Sequence, residues 1–383
     1  MSRGINTRCL HLEEDEGKTE HFGAISFPIF QTATYAHPGV GKSTGYDYSR
    51  LQNPTRAQVE KVVAELEGGI DAFALSSGMA AISLLFELFS PGDHIITEAD
   101  LYGGSIRLFD NVSRKNGYEL TYIDCSTEDV ESKIKENTKA IYLETPTNPM
   151  MNVSDIKEIA KAAKAHNLLL IVDNTFLSPY FQNPLSLGAD IVIHSGTKFL
   201  GGHNDTLAGF IVTNREDIRD RLRFLIKTTG AGLSPFDSWL ILRGIKTLGL
   251  RMERAEKNAL GLATWLKSQK NVTKVLYPGL PEHPGHEIMK KQSRGFGSMI
   301  TFKVDTKEHA LKILENVRMI KYAESLGGVE TLITYPTTQT HADVPEETRL
   351  KNGITPTTLR LSVGIEDIED LKAELKNVLN YND

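Results

Sequence analysis

The chain is poor in cysteine: Cys9 and Cys125 are its only two in 383 residues. Two thiols neither staple a chain this long nor supply a cysteine-rich metal site. A reducing compartment fits, and a cytoplasmic protein is expected. Long apolar runs are also missing. Stretches such as Leu168–Val172 fall far below the roughly 20 residues that span a bilayer. The opening MSRGINTRCLHLEEDEG soon turns acidic and has no apolar signal-peptide core. Nor is there an excess of positive charge: 43 Lys and Arg against 49 Asp and Glu leave a net charge of −6. With no long basic run to meet a phosphate backbone, neither nucleic acid nor a membrane is expected as a partner. No GxGxxG opens the N-terminal half, which argues against a dinucleotide-binding dehydrogenase. No GxxxxGK[ST], HExxH or CxxC occurs either.

What is present is enough apolar content, 40%, to bury a large core in one or two domains. Residues 1–56 show little periodicity and mix Gly, Thr, Tyr and Pro, as in GVGKSTGYDYSRLQNPT. An irregular stretch of that length is either a frayed tail or an arm docked on a partner subunit. From Pro54 the pattern becomes regular. Thr55 is expected to cap a helix through Val59, Val62, Val63 and Leu66, stopped by Gly68-Gly69. Strands then alternate with helices. The strands are AFAL, HIITE, ELTYID, AIYLET, LLLIVD, ADIVIHS and AGFIVT. The helices are SSGMAAISLLFELF and stretches near 107–116, 127–136 and 155–166. Alternation of this kind predicts an α/β fold with a largely parallel sheet, covered on both faces because its strands are continuously apolar.

A second region starts near residue 230 with a long helical stretch, SPFDSWLILRGIKTLGLRMERAEKNALGLATWLKSQ, interrupted near Gly244. MITFKV and TLRLSV read as strands, and 308–317 and 368–379 as helices. They predict a smaller α/β domain with an antiparallel sheet. The expected organisation is an arm at 1–56, a large domain at 57–250 and a C-terminal domain at 251–383.

Several residues stand where chemistry gathers. HSGTKFLGGH places Lys198 in a polar loop directly after the strand ADIVIH, at the carboxyl end where open parallel sheets bind ligands. Lys198 is either an amine that attaches a carbonyl cofactor or a surface lysine. Asp173 ends the strand LLLIVD. It can pair with a protonated pyridine nitrogen, with an arginine, or with the amides of the next helix. SSGMAA is a strand-to-helix junction. The Gly78 and Met79 amides can face an anion there, although such a sequence is also an ordinary helix cap. Ser195 and Thr197 add hydroxyl donors. Tyr102 in DLYGG can stack on a ring or simply pack. Arg360 in TLRLSV is either a carboxylate clamp or a solvent-facing residue of an alternating strand. Asn148 sits between prolines in ETPTNP, a rigid turn. His194 and His203 are not spaced as metal ligands, and His283 and His286, in HPGH, are expected to form a turn. No metal is expected.

Taken together, YDYSRLQNPT, SSGMAA, DLYGG, ETPTNP, IVDNTF, HSGTKFLGGH, SWLILRGIKTLGLRM, AESLGG and LRLSVGIED resemble the Cys/Met-metabolism PLP-dependent enzymes over nearly the whole chain. The resemblance implies fold type I, with a seven-stranded, mostly parallel large domain, a smaller C-terminal domain and pyridoxal 5'-phosphate (PLP) as cofactor. It implies a homotetramer built from dimers that share active sites. By motif, Lys198 carries the cofactor and shuttles protons, and Asp173 meets the ring nitrogen. Gly78, Met79, Ser195 and Thr197 bind the phosphate, joined by Tyr48 and Arg50 from the neighbouring subunit. Tyr102 stacks on the cofactor and assists proton transfer. Asn148, Glu324, Ser325 and Arg360 face the substrate.

Glu324 before Ser325 is similar to the cystathionine γ-synthase and γ-lyase branches. TYPTTQTH, GHNDTLAG and SPFDSWL look most like bacterial γ-synthases that also accept sulfide. The expected reaction is therefore γ-replacement, in which cysteine takes the place of the γ-acyloxy group of an O-acylhomoserine to give L-cystathionine. Cleavage of cystathionine by a γ-lyase is the alternative.

Overall fold

A computed structural model describes residues 3–11 and 21–380. Part of the expected arm, 1–2 and 12–20, lies outside the described residues. Seven strands, β1 (Asp71–Leu75), β2 (His94–Glu98), β3 (Glu119–Ile123), β4 (Thr138–Glu144), β5 (Leu169–Asp173), β6 (Ile191–Ser195) and β7 (Gly209–Thr213), form one sheet. Their order is β1-β7-β6-β5-β4-β2-β3. Only β7 runs antiparallel to its neighbours. The pleat still sorts these uniformly apolar strands. Ala72, Ala74, Val192 and Val212 pack with Val59, Val63 and Leu66 of the helix Pro54–Glu67. Phe73, Leu75, Ile193 and Ile211 pack on the opposite face with Ala81, Leu85, Leu222 and Ile226. Helices on both faces explain why no strand alternates polar with apolar.

Five further strands, β8 (Val272–Leu276), β9 (Met299–Val304), β10 (Lys321–Tyr322), β11 (Leu332–Thr334) and β12 (Thr358–Ser362), build the second sheet in the order β10-β11-β12-β9-β8. It is antiparallel apart from the β10–β11 pair. The helices Leu248–Leu266, Lys307–Asn316 and Ile368–Leu379 cover it, with Leu262, Leu266, Ile313 and Leu375 in its core. This is the expected architecture: a large, mostly parallel seven-stranded domain and a smaller C-terminal α/β domain.

Local departures have local causes. Asn53, not Thr55, caps the first long helix: its side chain accepts the Thr55 and Arg56 amides at 3.0 and 3.4 Å, and Pro54 takes the first helical position. The helix expected over 127–136 is absent apart from the single 3₁₀ turn Glu131–Lys133. There Asp124 accepts the Ser126 amide and Asp129 the Glu131 amide, local bonds that compete with a helix. The helix expected over 107–116 starts earlier, at Gly103, and widens into a π turn over Phe109–Ser113. The interruption near Gly244 is real. One helix ends at Ile245 and the next starts at Leu248. A Cβ on Gly244 would lie 2.3 Å from the Gly201 carbonyl oxygen, so that crossing needs glycine. Among the described residues no helix is long and apolar enough to cross a membrane.

Candidate active site

The carboxyl ends of β2, β4, β5 and β6 converge, and β12 of the second sheet faces them. At the end of β5 the Asp173 carboxylate forms an Asx turn. Its Oδ1 accepts the Thr175 amide at 3.0 Å and the Thr175 hydroxyl at 2.5 Å. Thr175 Oγ1 in turn accepts the Ser195 amide at 2.9 Å, tying the end of β5 to the end of β6. Desolvation pushes the Asp173 carboxyl above the usual range against these bonds. Glu144, its register partner on β4, is raised for the same reason and by the charge of Asp173.

Lys198 lies in the loop that follows β6. Its Nζ donates to Ser325 Oγ at 2.7 Å. Desolvation and the neighbouring Arg360 guanidinium lower its pKa to about 8, against a smaller upward pull from Glu324. Arg360, in the middle of β12, is only 1% exposed. Strand alternation allowed a solvent-facing side chain there, but both faces of β12 are covered. Arg360 Nη1 donates to Asn148 Oδ1 at 2.9 Å, and Nη2 to the Ser325 carbonyl at 2.9 Å and Thr334 Oγ1 at 3.2 Å. Among the described residues its Nε has no partner. Arg360 thus joins Asn148 and Ser325 directly, and Lys198 through Ser325.

The helix Gly78–Phe86 starts beside Ser195. Ser77 caps it by accepting the Ala80 amide at 3.1 Å, which leaves the Gly78 and Met79 amides without acceptors inside the helix. A Cβ on Gly78 would lie 3.0 Å from Ser195 Cβ and 3.1 Å from its Oγ. Glycine therefore keeps a cradle open between the two loops. The Thr197 hydroxyl bonds the backbone of Ala208, at 3.3 Å to its carbonyl and 3.1 Å from its amide, and so also braces this loop.

Tyr102 is 38% exposed, and its ring lies over Gly104, where a Cβ would be 2.4 Å from Cε1. Glu144 Oε2 accepts the Tyr102 amide at 2.9 Å. Glu324 is exposed on the rim of a cleft of about 1010 Å³ between the domains, which Thr197, Ser325 and Lys321 also line. Tyr48 and Arg50 are exposed. Arg50 lies 5.6 Å from the Tyr48 ring centre and donates to the Lys227 carbonyl at 2.5 Å. Within one chain no hydrogen bond or ion pair joins them to Lys198, Asp173 or Arg360 among the described residues. His194 bonds Glu67 at 2.6 Å, and His283 accepts the Gly285 amide at 3.0 Å in the expected turn.

Three contributors escaped the sequence. Glu144 and Thr334 act across strands, which no local pattern reveals. Thr175 had a readable signal, because D-x-T is an Asx-turn sequence.

The model of the Cys/Met metabolism PLP-dependent enzymes matches residues 6–380. The chain belongs to this family. A cystathionine β-lyase of Lactococcus lactis subsp. cremoris is 51% identical over 377 residues, 98% of each chain. A cystathionine γ-synthase of Haemophilus influenzae is 49% identical over 358 residues, 93% of each. The crystal structure of a cystathionine γ-lyase from Lactobacillus plantarum complexed with L-serine superposes with a TM-score of 0.95 at 45% identity, over 99% of each chain. Three activities thus stand at similar distances, so the expected closeness to γ-synthases does not set this chain apart. The family's cofactor, PLP, fits the residues present. Among the described residues they offer an amine with a lowered pKa, a buried acid that forms no ion pair, a glycine-lined cradle at a helix start and a buried guanidinium with an unused Nε.

Proposed function

We propose that the protein cleaves cystathionine by γ-elimination, consuming one water and giving cysteine, 2-oxobutanoate and ammonia. The carrying observation is the Lys198–Ser325–Arg360 chain: an amine poised to move protons, linked through one serine to a buried cation free to take a carboxylate. Lys198 would hold the cofactor covalently, Asp173 would meet its ring nitrogen, and Gly78, Met79, Ser195 and Thr197 would take its phosphate. PLP, when bound, supplies the electron sink. Arg360 and Asn148 hold the substrate carboxylate, which fixes the α-carbon near Lys198. Lys198 Nζ would take the α-proton, give it up, and then take a second proton from the β-carbon, and the departing cysteine sulfur would be protonated in turn. Tyr102 assists departure of the sulfur from the γ-carbon. The lyase direction is supported by the Lactococcus and Lactobacillus relatives, a cystathionine β-lyase and a cystathionine γ-lyase by name, and the γ position by the second of them.

A second reading is γ-replacement, with cysteine or sulfide adding to the skeleton of an O-acylhomoserine. The segments TYPTTQTH, GHNDTLAG and SPFDSWL and the Haemophilus relative favour it. The expected arm, 1–56, would then serve either activity between subunits of a homotetramer built from dimers, with Tyr48 and Arg50 of its described part 21–53 reaching the phosphate of a second copy. Supporting this, Phe22, Ile25 and Val40 of that segment are fully exposed on the single chain.

A product assay separates the readings. Cystathionine, O-acetylhomoserine, O-succinylhomoserine and methionine are supplied in parallel, each with and without cysteine or sulfide. Fastest release of 2-oxobutanoate from cystathionine supports the γ-lyase. Pyruvate and homocysteine from cystathionine would replace it with a β-lyase. Faster formation of cystathionine from an O-acylhomoserine would make γ-replacement the main activity.

A further inference from the structure

His341 lies in the segment 336–344 that crosses from the second sheet to the first, and its ring is 1% exposed. Its Nε2 is 3.0 Å from the carbonyl oxygen of Leu101 and 3.1 Å from that of Asn148. Carbonyls only accept, so Nε2 carries the hydrogen and shares it between them. Nδ1 is then the acceptor, for the Thr340 hydroxyl at 2.9 Å. Burial lowers the pKa of the ring to about 4, which keeps this neutral form throughout the working range. Leu101 directly precedes Tyr102, and Asn148 is the residue whose side chain accepts from Arg360. One imidazole from the second domain therefore clasps two loops of the first, one bearing the exposed ring and the other the carboxylate partner.

The segment does not need His341 to stay in place. Arg349 Nη1 donates to the carbonyls of Thr337, His341, Ala342 and Val344 at 3.1–3.5 Å. Arg107 pairs with Asp343, and Asn352 Nδ2 donates to the Ala99 carbonyl at 2.9 Å. The backbone also sits directly on Gly103, where a Cβ would lie 1.9 Å from the Thr340 carbonyl oxygen. A second tie joins the two loops below the ring: Asp100 Oδ2 accepts the Thr147 hydroxyl at 2.5 Å and the Met150 amide at 2.9 Å. What His341 adds is a bond to the two carbonyls that stand next to functional side chains.

We propose that His341 is a positioning residue that sets the spacing between Tyr102 and the Asn148–Arg360 pair. It rests on the proposed roles of those three residues. Loss of the shared hydrogen leaves two buried carbonyls unpaired and lets the loops drift apart, which misplaces the ring relative to the bound carboxylate.

The test compares His341→Phe, His341→Gln and Arg360→Lys in the cofactor-loaded enzyme turning over cystathionine. Readouts are kcat, KM, the circular dichroism of the cofactor's visible band and the melting temperature. In His341→Phe, kcat is expected to fall roughly 10- to 100-fold with a changed visible dichroism, because small misplacements cost about that much. His341→Gln should recover part of the loss, since its amide donates to one carbonyl. It also serves as the readable variant if the phenylalanine form does not fold. Arg360→Lys should raise KM. A raised KM in Arg360→Lys with wild-type kinetics and dichroism in both His341 variants overturns the role of His341 alone. An unchanged KM in Arg360→Lys overturns the site assignment on which it rests.

Discussion

Lys198 Nζ and Ser325 Oγ meet at 2.7 Å across 127 residues of sequence, joining the large domain to the small one at the Lys198 amine. Ser325 makes this contact with φ at +83°, in the left-handed region that favours glycine. Such a backbone costs of order ~1–3 kcal/mol and persists only where surroundings hold it. Here the Ser325 carbonyl accepts from Arg360, and the Gly327 amide two residues on donates to Ser362 Oγ at 2.8 Å.

Ser325→Gly separates the hydroxyl from the backbone. Glycine adopts the same φ without strain, so the fold and melting temperature should be retained. The hydrogen bond to the amine is lost, and such bonds to charged groups contribute about 1.5–3 kcal/mol. kcat/KM is expected to fall roughly 10-fold or more. Unchanged kinetics would show that the serine does not position Lys198.

The amine's lowered pKa sets a pH dependence. In the cofactor-free protein Lys198 titrates near 8, whereas an unfolded lysine titrates near its ordinary 10.5. Between these values the unfolded chain binds the extra proton, so stability from this group rises with pH across that window. Below about pH 8 both states are protonated, and the buried charge exerts its full cost. Attachment of PLP to stripped protein, followed by visible absorbance, should accelerate with pH to a midpoint near 8. A midpoint near 10.5 would mean an ordinary, solvated lysine.

Asp173→Asn tests the acid at the end of β5. Its folded carboxyl is raised, so over the window just above its unfolded value the folded state binds the extra proton and stability falls as pH rises. Removing the charge should raise the melting temperature of the cofactor-free protein at neutral pH, because Asn can still accept from Thr175. Turnover should fall by orders of magnitude. A variant that is both less stable and fully active would contradict the assignment.

The arm is tested by complementation. Arg50→Ala and Lys198→Ala variants are each expected to be nearly inactive. Mixed and allowed to exchange subunits, they should regain activity in hybrids that keep one intact shared site. No recovery despite measured exchange would place Arg50 outside the neighbour's site.

Much of this was legible in the sequence where the signal was local. The placement of Lys198, Asp173 and Gly78 at the carboxyl edge of the sheet is legible because apolar runs end there in polar loops. The strand HIITE and the helix 368–379 carried the same clarity. Asn53 was missed as a cap because Asn-Pro-Thr offers two capping residues, and geometry rather than composition chose between them. The stretch 127–136 misled because aspartates that look tolerable in a helix instead bonded nearby amides. Arg360 remained ambiguous because strand alternation is uninformative when both faces are covered. Glu144 and His341 were invisible for a different reason: their partners are 42 and up to 240 positions away.

The most direct measurement is chemical. The protein is loaded with PLP, reduced with borohydride, digested and mapped by mass spectrometry. A pyridoxyl group on Lys198, lost in Lys198→Ala, is the predicted result. A label on a different lysine, or none on a protein with bound cofactor, would contradict the account.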